Sequence, residues 1–370
     1  MRRIAIFISF SGEGGVERMI LNLAQGLHDA GHAVDLVLVK TLGGHAMAFP
    51  AGVNIVKLNA RHTFTSLPAL VRYLRRARPE AMLAAKDRAI KVAVLARRLA
   101  RVPVRLVGRL GTTLSAALAG RSRLKRWLWY SSMRVFYRGT DRIVAVSHGV
   151  ADDVLAITGL PRARVQVIRN PVWTRDLEPL ARTPIDHPWF RAGEPPVIVG
   201  AGRLTRQKDF PTLILAFARL RARRNCRLVI LGEGSDRAAL EALATTHGVR
   251  ADVALPGFQT NPYAYLARAH LFVLSSAWEG SPNVLTEALA LGIPVVATDC
   301  PSGPREILQE GRYGKLVPVG DAEALATAMD QTLDQPLPRA LLQEAARPYT
   351  VEASVRQYLE ALGIDAPERP

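Results

Sequence analysis

Apolar positions along the chain fall into short runs of two kinds, and the kinds alternate. Arg3–Ser9 is almost wholly apolar and reads as a buried strand. A Gly-rich turn follows, then a helical pattern over Glu17–Ala30 that stops at Gly31. Ala33–Lys40, Val53–Leu58 and Val104–Leu110 read as strands, and Leu67–Arg78 and Ala89–Ala100 as helices. Ile143–Val146 and Val165–Ile168 are further strands. They end in Ser147-His148-Gly149 and Asn170-Pro171. Residues 174–196 carry five prolines and no clear period, which predicts a linker.

The alternation then restarts. Val197–Gly200, Arg227–Leu231, Val253–Leu255, Leu271–Ser275 and Pro294–Thr298 read as strands. Phe210, Leu213, Ile214, Phe217 and Leu220 share one face of a helix that Asp209 caps. Ala238–Thr246, Ala322–Leu333 and Val351–Leu362 read as helices. Two runs of alternating β and α predict an α/β protein with two Rossmann-like parallel-sheet domains, over 1–173 and 197–350. Ligands of such sheets bind at the carboxyl ends of strands. Polar and glycine-rich residues collect there in both halves, so a common cleft is expected.

Composition narrows the setting. The chain has 370 residues, and its two cysteines, Cys226 and Cys300, make no disulfide framework or metal pattern. A reducing, cytoplasmic setting is expected, with no targeting segment and no apolar stretch long enough to span a bilayer. The net charge of +17 is unevenly spread: residues 1–173 hold 28 Lys and Arg against 9 Asp and Glu. The remainder is close to neutral. An anionic partner for the first half is implied: lipid head groups, nucleic acid or an acidic substrate. Arg121–Arg138 interleaves basic residues with Trp127, Trp129, Tyr130, Phe136 and Tyr137, which suits an anionic membrane interface or a partly buried helix. The basic positions do not segregate onto one helical face.

The richest chemistry lies in Glu279-Gly280-Ser281-Pro282-Asn283-Val284-Leu285-Thr286-Glu287. Ser281 suits an N-cap and Pro282 the first helical position. Backbone amides at a helix start attract anions, here those near Asn283, Val284 and Leu285. Glu279 would precede that start and Glu287 would lie inside the helix, one carboxylate for each end of a ligand with a phosphate between, as in a sugar nucleotide. Gly202-Arg203-Leu204-Thr205-Arg206-Gln207-Lys208 supplies cations that a diphosphate needs once water leaves, or solvated loop charges. Gly232, Glu233 and Gly234 form either a turn that a nucleotide base or phosphate can approach closely, with Gly232 and Glu233 as donor contacts, or a plain strand-to-helix turn. Ser11-Gly12-Glu13-Gly14-Gly15-Val16-Glu17 lacks the G-x-G-x-x-G spacing, so a phosphate or sugar near Gly14 and Gly15 fits better than NAD. His148 follows a strand end and is a candidate for the acceptor side. There is no Walker A pattern, no Asp-x-Asp and no ligand-spaced histidine pair, and neither a metal nor a cofactor is expected.

Gly14-Gly15-Val16-Glu17, Gly202-Arg203 with Lys208, Leu231-Gly232-Glu233-Gly234, Glu279 with Glu287, and Thr298 to Glu306 together resemble glycosyltransferase family 4, the group 1 retaining transferases of the GT-B fold. The resemblance runs over almost the whole chain. It implies a donor mainly on the second domain, an acceptor mainly on the first, and a C-terminal helix, 351–363, packing back on the first. By position, Arg203 and Lys208 would hold the donor diphosphate, and Glu287 the ribose. Glu279 would contact sugar hydroxyls, the amides from Gly280 to Leu285 the sugar and β-phosphate, and Gly15 would let the first loop approach. Many members carry a histidine where this chain reads Arg109-Leu110-Gly111-Thr112-Thr113. The implied reaction is transfer from a nucleotide sugar, most often UDP-linked, to a lipid-linked or polysaccharide acceptor. The alternatives are an epimerase or phosphorylase on the same fold, or a basic nucleic-acid-binding protein. For the last, no binding module is present.

Overall fold

The computed structural model describes residues 2–10, 14–41 and 49–364, with the backbone alone at Thr41. It has two compact units, one made of residues 1–172 and 349–370, the other of 173–348.

The first unit is built on seven parallel strands: β1 (Arg3–Phe10), β2 (Ala33–Thr41), β3 (Asn54–Lys57), β4 (Ala81–Ala85), β5 (Arg105–Leu110), β6 (Arg142–Ala145) and β7 (Val165–Val167). Their spatial order is β3-β2-β1-β4-β5-β6-β7. In β1 the side chains alternate between two cores, as the period of two requires. Ile4, Ile6 and Ile8 pack with the Gly15–Asp29 helix, while Ala5 and Phe7 pack with the Asp87–Ala100 helix. The C-terminal helix Val351–Leu362 joins the Ile4 side through Val355, Tyr358, Leu359 and Leu362. It lies against the Gly15–Asp29 helix at Gly26, where a Cβ would stand 2.5 Å from Val351 Cγ1 and 2.7 Å from Val355 Cγ2.

The second unit has six parallel strands: β8 (Val197–Ala201), β9 (Arg227–Leu231), β10 (Val253–Gly257), β11 (Leu271–Leu274), β12 (Val295–Thr298) and β13 (Lys315–Val317). Their order is β10-β9-β8-β11-β12-β13. Phe210, Leu213, Ile214, Phe217 and Leu220 are all buried on one side of this sheet. Both sheets reverse direction of growth beside their first strand, between β1 and β4 and between β8 and β11. Such a switch point leaves a crevice at the carboxyl ends of the two central strands.

Three departures from the sequence reading are informative. The central strand β4 went unread, and so did the edge strand β13. Residues 174–196 are not a bare linker: Leu177–Arg182 is a helix with Leu177 and Ala181 buried. Asn261 Nδ2 donates to Leu180 O (2.8 Å), and the rings of Phe190 and Tyr265 meet edge-on at 5.6 Å. Pro188 starts a short turn over Pro188–Phe190, and the whole segment belongs to the second unit. Ser281 is not the N-cap of its helix. The helix spans Asn283–Ala290 and Pro282, extended at ψ 103°, holds the cap position. Pro282 Cδ and Gly280 O stand 2.8 Å from where a Gly303 Cβ would be, which fixes the proline against that segment.

Replacing Gly26 with leucine should force the C-terminal helix away from its partner. Overpacking of this kind costs about 1–3 kcal/mol. Equilibrium urea unfolding measures it, and an unchanged midpoint would mean that the two helices do not depend on this close approach.

Candidate functional site

The loops that follow β8 and β11 flank the switch point of the second sheet, and an ion pair ties them together. Lys208 Nζ lies 2.6 Å from Glu279 Oε1, and the side chains are 17% and 8% exposed. Ser276 Oγ donates to the same oxygen at 2.7 Å. Backbone contacts repeat the tie: Ala277 N donates to Gln207 O (2.8 Å), and Ser275 Oγ to Lys208 O (2.8 Å). Glu279 is held from behind as well, its amide donating to Pro301 O at 2.8 Å.

Glycines make this packing possible. Gly202 has φ 155°, and a Cβ there would meet Lys208 Cε at 2.8 Å, so the lysine stem runs across it. A Cβ on Gly232 (φ 139°) would come within 1.9 Å of Gly202 O. The two glycines therefore let the β8 and β9 loops touch backbone to backbone. Glu233 differs from its sequence reading as a ligand contact. Its carboxylate is clamped by Arg237, at 2.6 and 3.0 Å, and that guanidinium holds its pKa below the usual carboxylate value. Arg203 is exposed and Arg206 with it. Asp209 stands at the N-cap in a left-handed conformation (φ 46°), with its carboxylate accepting from Thr212 Oγ1 at 2.7 Å.

At the helix Asn283–Ala290, the amides of Leu285 and Thr286 turn to Pro282 O, at 3.1 and 3.4 Å. Leu285 is thereby drawn into the first turn rather than left to a ligand, a correction to its assignment among the anion-facing amides. Asn283 and Val284, both half-buried, occupy the first two helical positions. Glu287 is buried deeper in the helix and accepts from Tyr263 Oη at 3.4 Å. Tyr263 was not foreseen, since a lone tyrosine in Asn-Pro-Tyr carries no spacing signal. The structure thus assembles Lys208, Glu279, Gly280, Ser281 and Glu287 around one loop and one helix start.

Cys300 borders this region. Burial first, then the Glu279 carboxylate, push its thiol up to about 12, against a pull from Thr298 and Lys208. A thiol so placed stays protonated and is no nucleophile.

In the first unit, the switch point between β1 and β4 holds another ion pair. Lys86 Nζ lies 2.7 Å from Glu17 Oε1 and 3.3 Å from Ser9 O. The space a Gly14 Cβ would take is occupied by Glu17 Oε2, 2.2 Å away. The absent side chain at Gly14 thus makes room for Glu17, not for a ligand. Gly15 starts the helix and is exposed. Ser11, Gly12 and Glu13 lie outside the described residues. Ser147 is fully buried and caps the helix His148–Thr158, accepting from Val150 N, while His148 is exposed at its first position. Arg109 is buried at the end of β5 and donates to Asn170 Oδ1 at 2.8 Å. Among the described residues, no group of three or more His, Cys, Asp or Glu is arranged to hold a metal.

The helix Arg123–Tyr137 buries Met133 and Tyr137. Its opposite side exposes Leu124, Trp127, Leu128 and Val135, each by more than half. At 3.6 residues per turn these four fall within an arc of about 100°. Arg121, Arg123, Lys125 and Arg134 are exposed beside them, and Arg121–Arg138 contains no acidic residue. The basic residues do not segregate, but the exposed apolar ones do. No helix among the described residues is long and apolar enough to cross a membrane.

Two family profiles match the chain: "Glycosyl transferases group 1" over residues 182–348 and "Glycosyl transferase 4-like domain" over 14–171. A lipopolysaccharide core biosynthesis glycosyltransferase, LpsE of Rhizobium meliloti, is 29% identical over 95% of this chain and 97% of its own. An N-acetylgalactosaminyltransferase of Campylobacter jejuni, named for a diphospho-undecaprenol-linked acceptor, is 32% identical over 54% of this chain and 53% of its own. Among solved structures, Anabaena HepE in complex with UDP-glucose matches with a TM-score of 0.76 at 19% identity, covering 98% of this chain and 100% of that one.

The Cys300 thiol gives a prediction with a definite sign. It ionises at about 12 in the fold against 9.0 ordinarily, so its contribution to stability is full below about pH 9 and is lost as pH rises from there towards 12. Urea unfolding across pH 8 to 11 should show wild type losing ground to Cys300→Ala above pH 9. Parallel curves would contradict the assignment.

Proposed function

The chain belongs to the group 1 glycosyltransferases and has the GT-B fold, and from that premise we propose a retaining transferase that moves a sugar from a UDP-linked donor to a lipid-linked or polysaccharide acceptor in cell-envelope glycan synthesis. The observation that carries this reading is the Lys208–Glu279 pair beside the start of the Asn283–Ala290 helix, with Glu287 in that helix's second turn. The name of the Rhizobium relative supports a cell-envelope glycan, that of the Campylobacter relative supports a lipid-linked acceptor, and HepE, which shares the fold, was solved with UDP-glucose.

In this account Arg203 and Lys208 take the donor diphosphate, charge to charge. Glu287, steadied by Tyr263, accepts from the ribose hydroxyls. Glu279 accepts from sugar hydroxyls, with Ser276 fixing its orientation. Gly280, Ser281, Asn283 and Val284 line the path of the sugar and β-phosphate. Gly232 seats the β9 loop against Gly202, on the nucleotide's side of the sheet. Gly15 and His148 belong to the acceptor-bearing unit. The bond from the anomeric carbon to the diphosphate oxygen breaks as the acceptor oxygen attacks the same face, and the acceptor's proton passes to the departing phosphate. Catalysis then comes from positioning and from stabilising charge on the leaving group, with no metal and no cofactor.

The same reading places the acceptor at a bilayer. The exposed Leu124-Trp127-Leu128-Val135 stripe with its basic flanks suits the plane of an anionic membrane surface, where each Lys or Arg contributes about 1 kcal/mol.

Three outcomes are expected. Arg203→Ala should lower turnover at saturating donor by about 10²–10³-fold; near-full turnover would remove the arginine from the phosphate clamp. In a thermal-shift panel of UDP-, GDP- and ADP-sugars, one UDP-sugar should stabilise wild type selectively and Glu287→Ala far less. Indifference to every sugar nucleotide would refute the donor assignment. Sedimentation with anionic vesicles should retain the protein at low salt and release it at high salt, with Trp127→Ser binding less. Equal binding to neutral vesicles, or none at low salt, would refute the membrane contact.

A further inference from the structure

The first unit has a cavity of about 530 Å³ that none of the assignments above uses. It lies at the carboxyl ends of β1 and β2, where Ser9 and Lys40 line it together with residues 61–65 and Arg88. This is the ligand-bearing end of a parallel sheet, and the volume is that of a small-molecule site. The turn 61–65 is fixed from within: Thr65 Oγ1 donates to His62 O at 2.8 Å and accepts from His62 N at 3.1 Å.

Its charge is one-sided. Among the described residues, Lys40, Arg61 and Arg88 line it, no acidic residue does, and none of the three cations pairs with a carboxylate. Of the described acids near it, Asp87 and Glu17 are both occupied. Asp87 is held by Lys91 (2.9 Å) and Tyr137 (2.8 Å), and Glu17 by Lys86. Lys40 is half-buried and Arg61 and Arg88 are exposed, with Arg88 also 5.9 Å from the Trp129 ring centroid, so an anion seated in the cavity is attracted by all three charges. Phe64 adds an exposed ring at the same cavity, and Thr63 and Thr65 add hydroxyls. Ring, hydroxyls and cations together match a saccharide that carries an anionic group.

We propose that this cavity is a subsite for a phosphate- or carboxylate-bearing saccharide, with Lys40, Arg61 and Arg88 taking the anion and Phe64 the apolar face of the sugar ring. It deepens the transferase reading by giving the acceptor a negative charge close to its sugar, and it rests on that reading only for calling the ligand an acceptor.

The test is calorimetric titration of the full chain, saturated with UDP, at fixed ionic strength. The probes are glucose 6-phosphate, glucuronate, glucose and inorganic phosphate. The two charged sugars should bind at least tenfold more tightly than glucose, and glucose 6-phosphate more tightly than inorganic phosphate. Preference between the first two identifies the anion. In Arg61→Ser/Arg88→Ser, the advantage of the charged sugars should vanish while UDP affinity stays within twofold, which also shows that the variant is folded. Glucose binding as well as the charged sugars, or a variant that keeps their advantage, would overturn the subsite. Inorganic phosphate binding as tightly as glucose 6-phosphate would overturn the sugar contact. If UDP itself fails to bind but the charged sugars behave as described, the transferase reading falls and the subsite stands.

Discussion

A lysine and a glutamate, each largely withdrawn from water, hold the second unit's site in register. Burying two charges costs several kcal/mol per ion unless geometry and added hydrogen bonds offset it. Here Ser276 completes the Glu279 oxygen, and the Lys208 stem lies along Gly202. The pair joins the loop after β8 to the loop after β11, the two strands that flank the switch point. Much of the local backbone follows from it. Gly202 must lack a side chain for the lysine to pass, and Gly232 for Gly202 to lie where it does. Gly303 must lack one for the Gly280–Pro282 corner to close. Glu279, four residues before the Asn283–Ala290 helix, is thereby held against the Lys208 cation.

The parts of this arrangement that were legible in the sequence are those written in local pattern. Ile4, Ile6 and Ile8 against Ala5 and Phe7 announce a strand buried on both faces. Phe210 to Leu220 announce a helix. Val351–Leu362 was read to its observed ends, where Thr350 caps it and Gly363 closes it. The strand β4 was not legible. Ala81-Met-Leu-Ala-Ala85 is made of good helix formers, and only its pairing between β1 and β5 makes it a strand. Tertiary context overrode propensity there.

The site divides in the same way. Lys208 stood out as a cation in the loop after a strand, and Glu279 and Glu287 as two carboxylates on either side of a helix start. Tyr263 did not, since it reaches Glu287 only through the fold. Glu233 was read as a ligand contact because its neighbours are glycines, yet Arg237, one helical turn on, takes its carboxylate. Gly14 was read as an opening for a ligand, and the carboxylate of Glu17 fills it. In each case a short-range partner decided the outcome, and such partners are invisible until side-chain directions are known. The excess positive charge of the first half likewise had no address in the sequence. The fold gives it two: the flanks of the apolar stripe on Arg123–Tyr137, and the cavity lined by Lys40, Arg61 and Arg88.

The central claim is that Lys208 serves the diphosphate and Glu279 the sugar, the two being neighbours for that reason. Calorimetric titration of Glu279→Gln with UDP and with the preferred UDP-sugar tests it most directly. Losing the carboxylate frees Lys208, so UDP should bind as well as before or better, while the extra affinity contributed by the sugar disappears. If UDP and the UDP-sugar weaken together, or neither changes, the division of roles between these two residues is wrong.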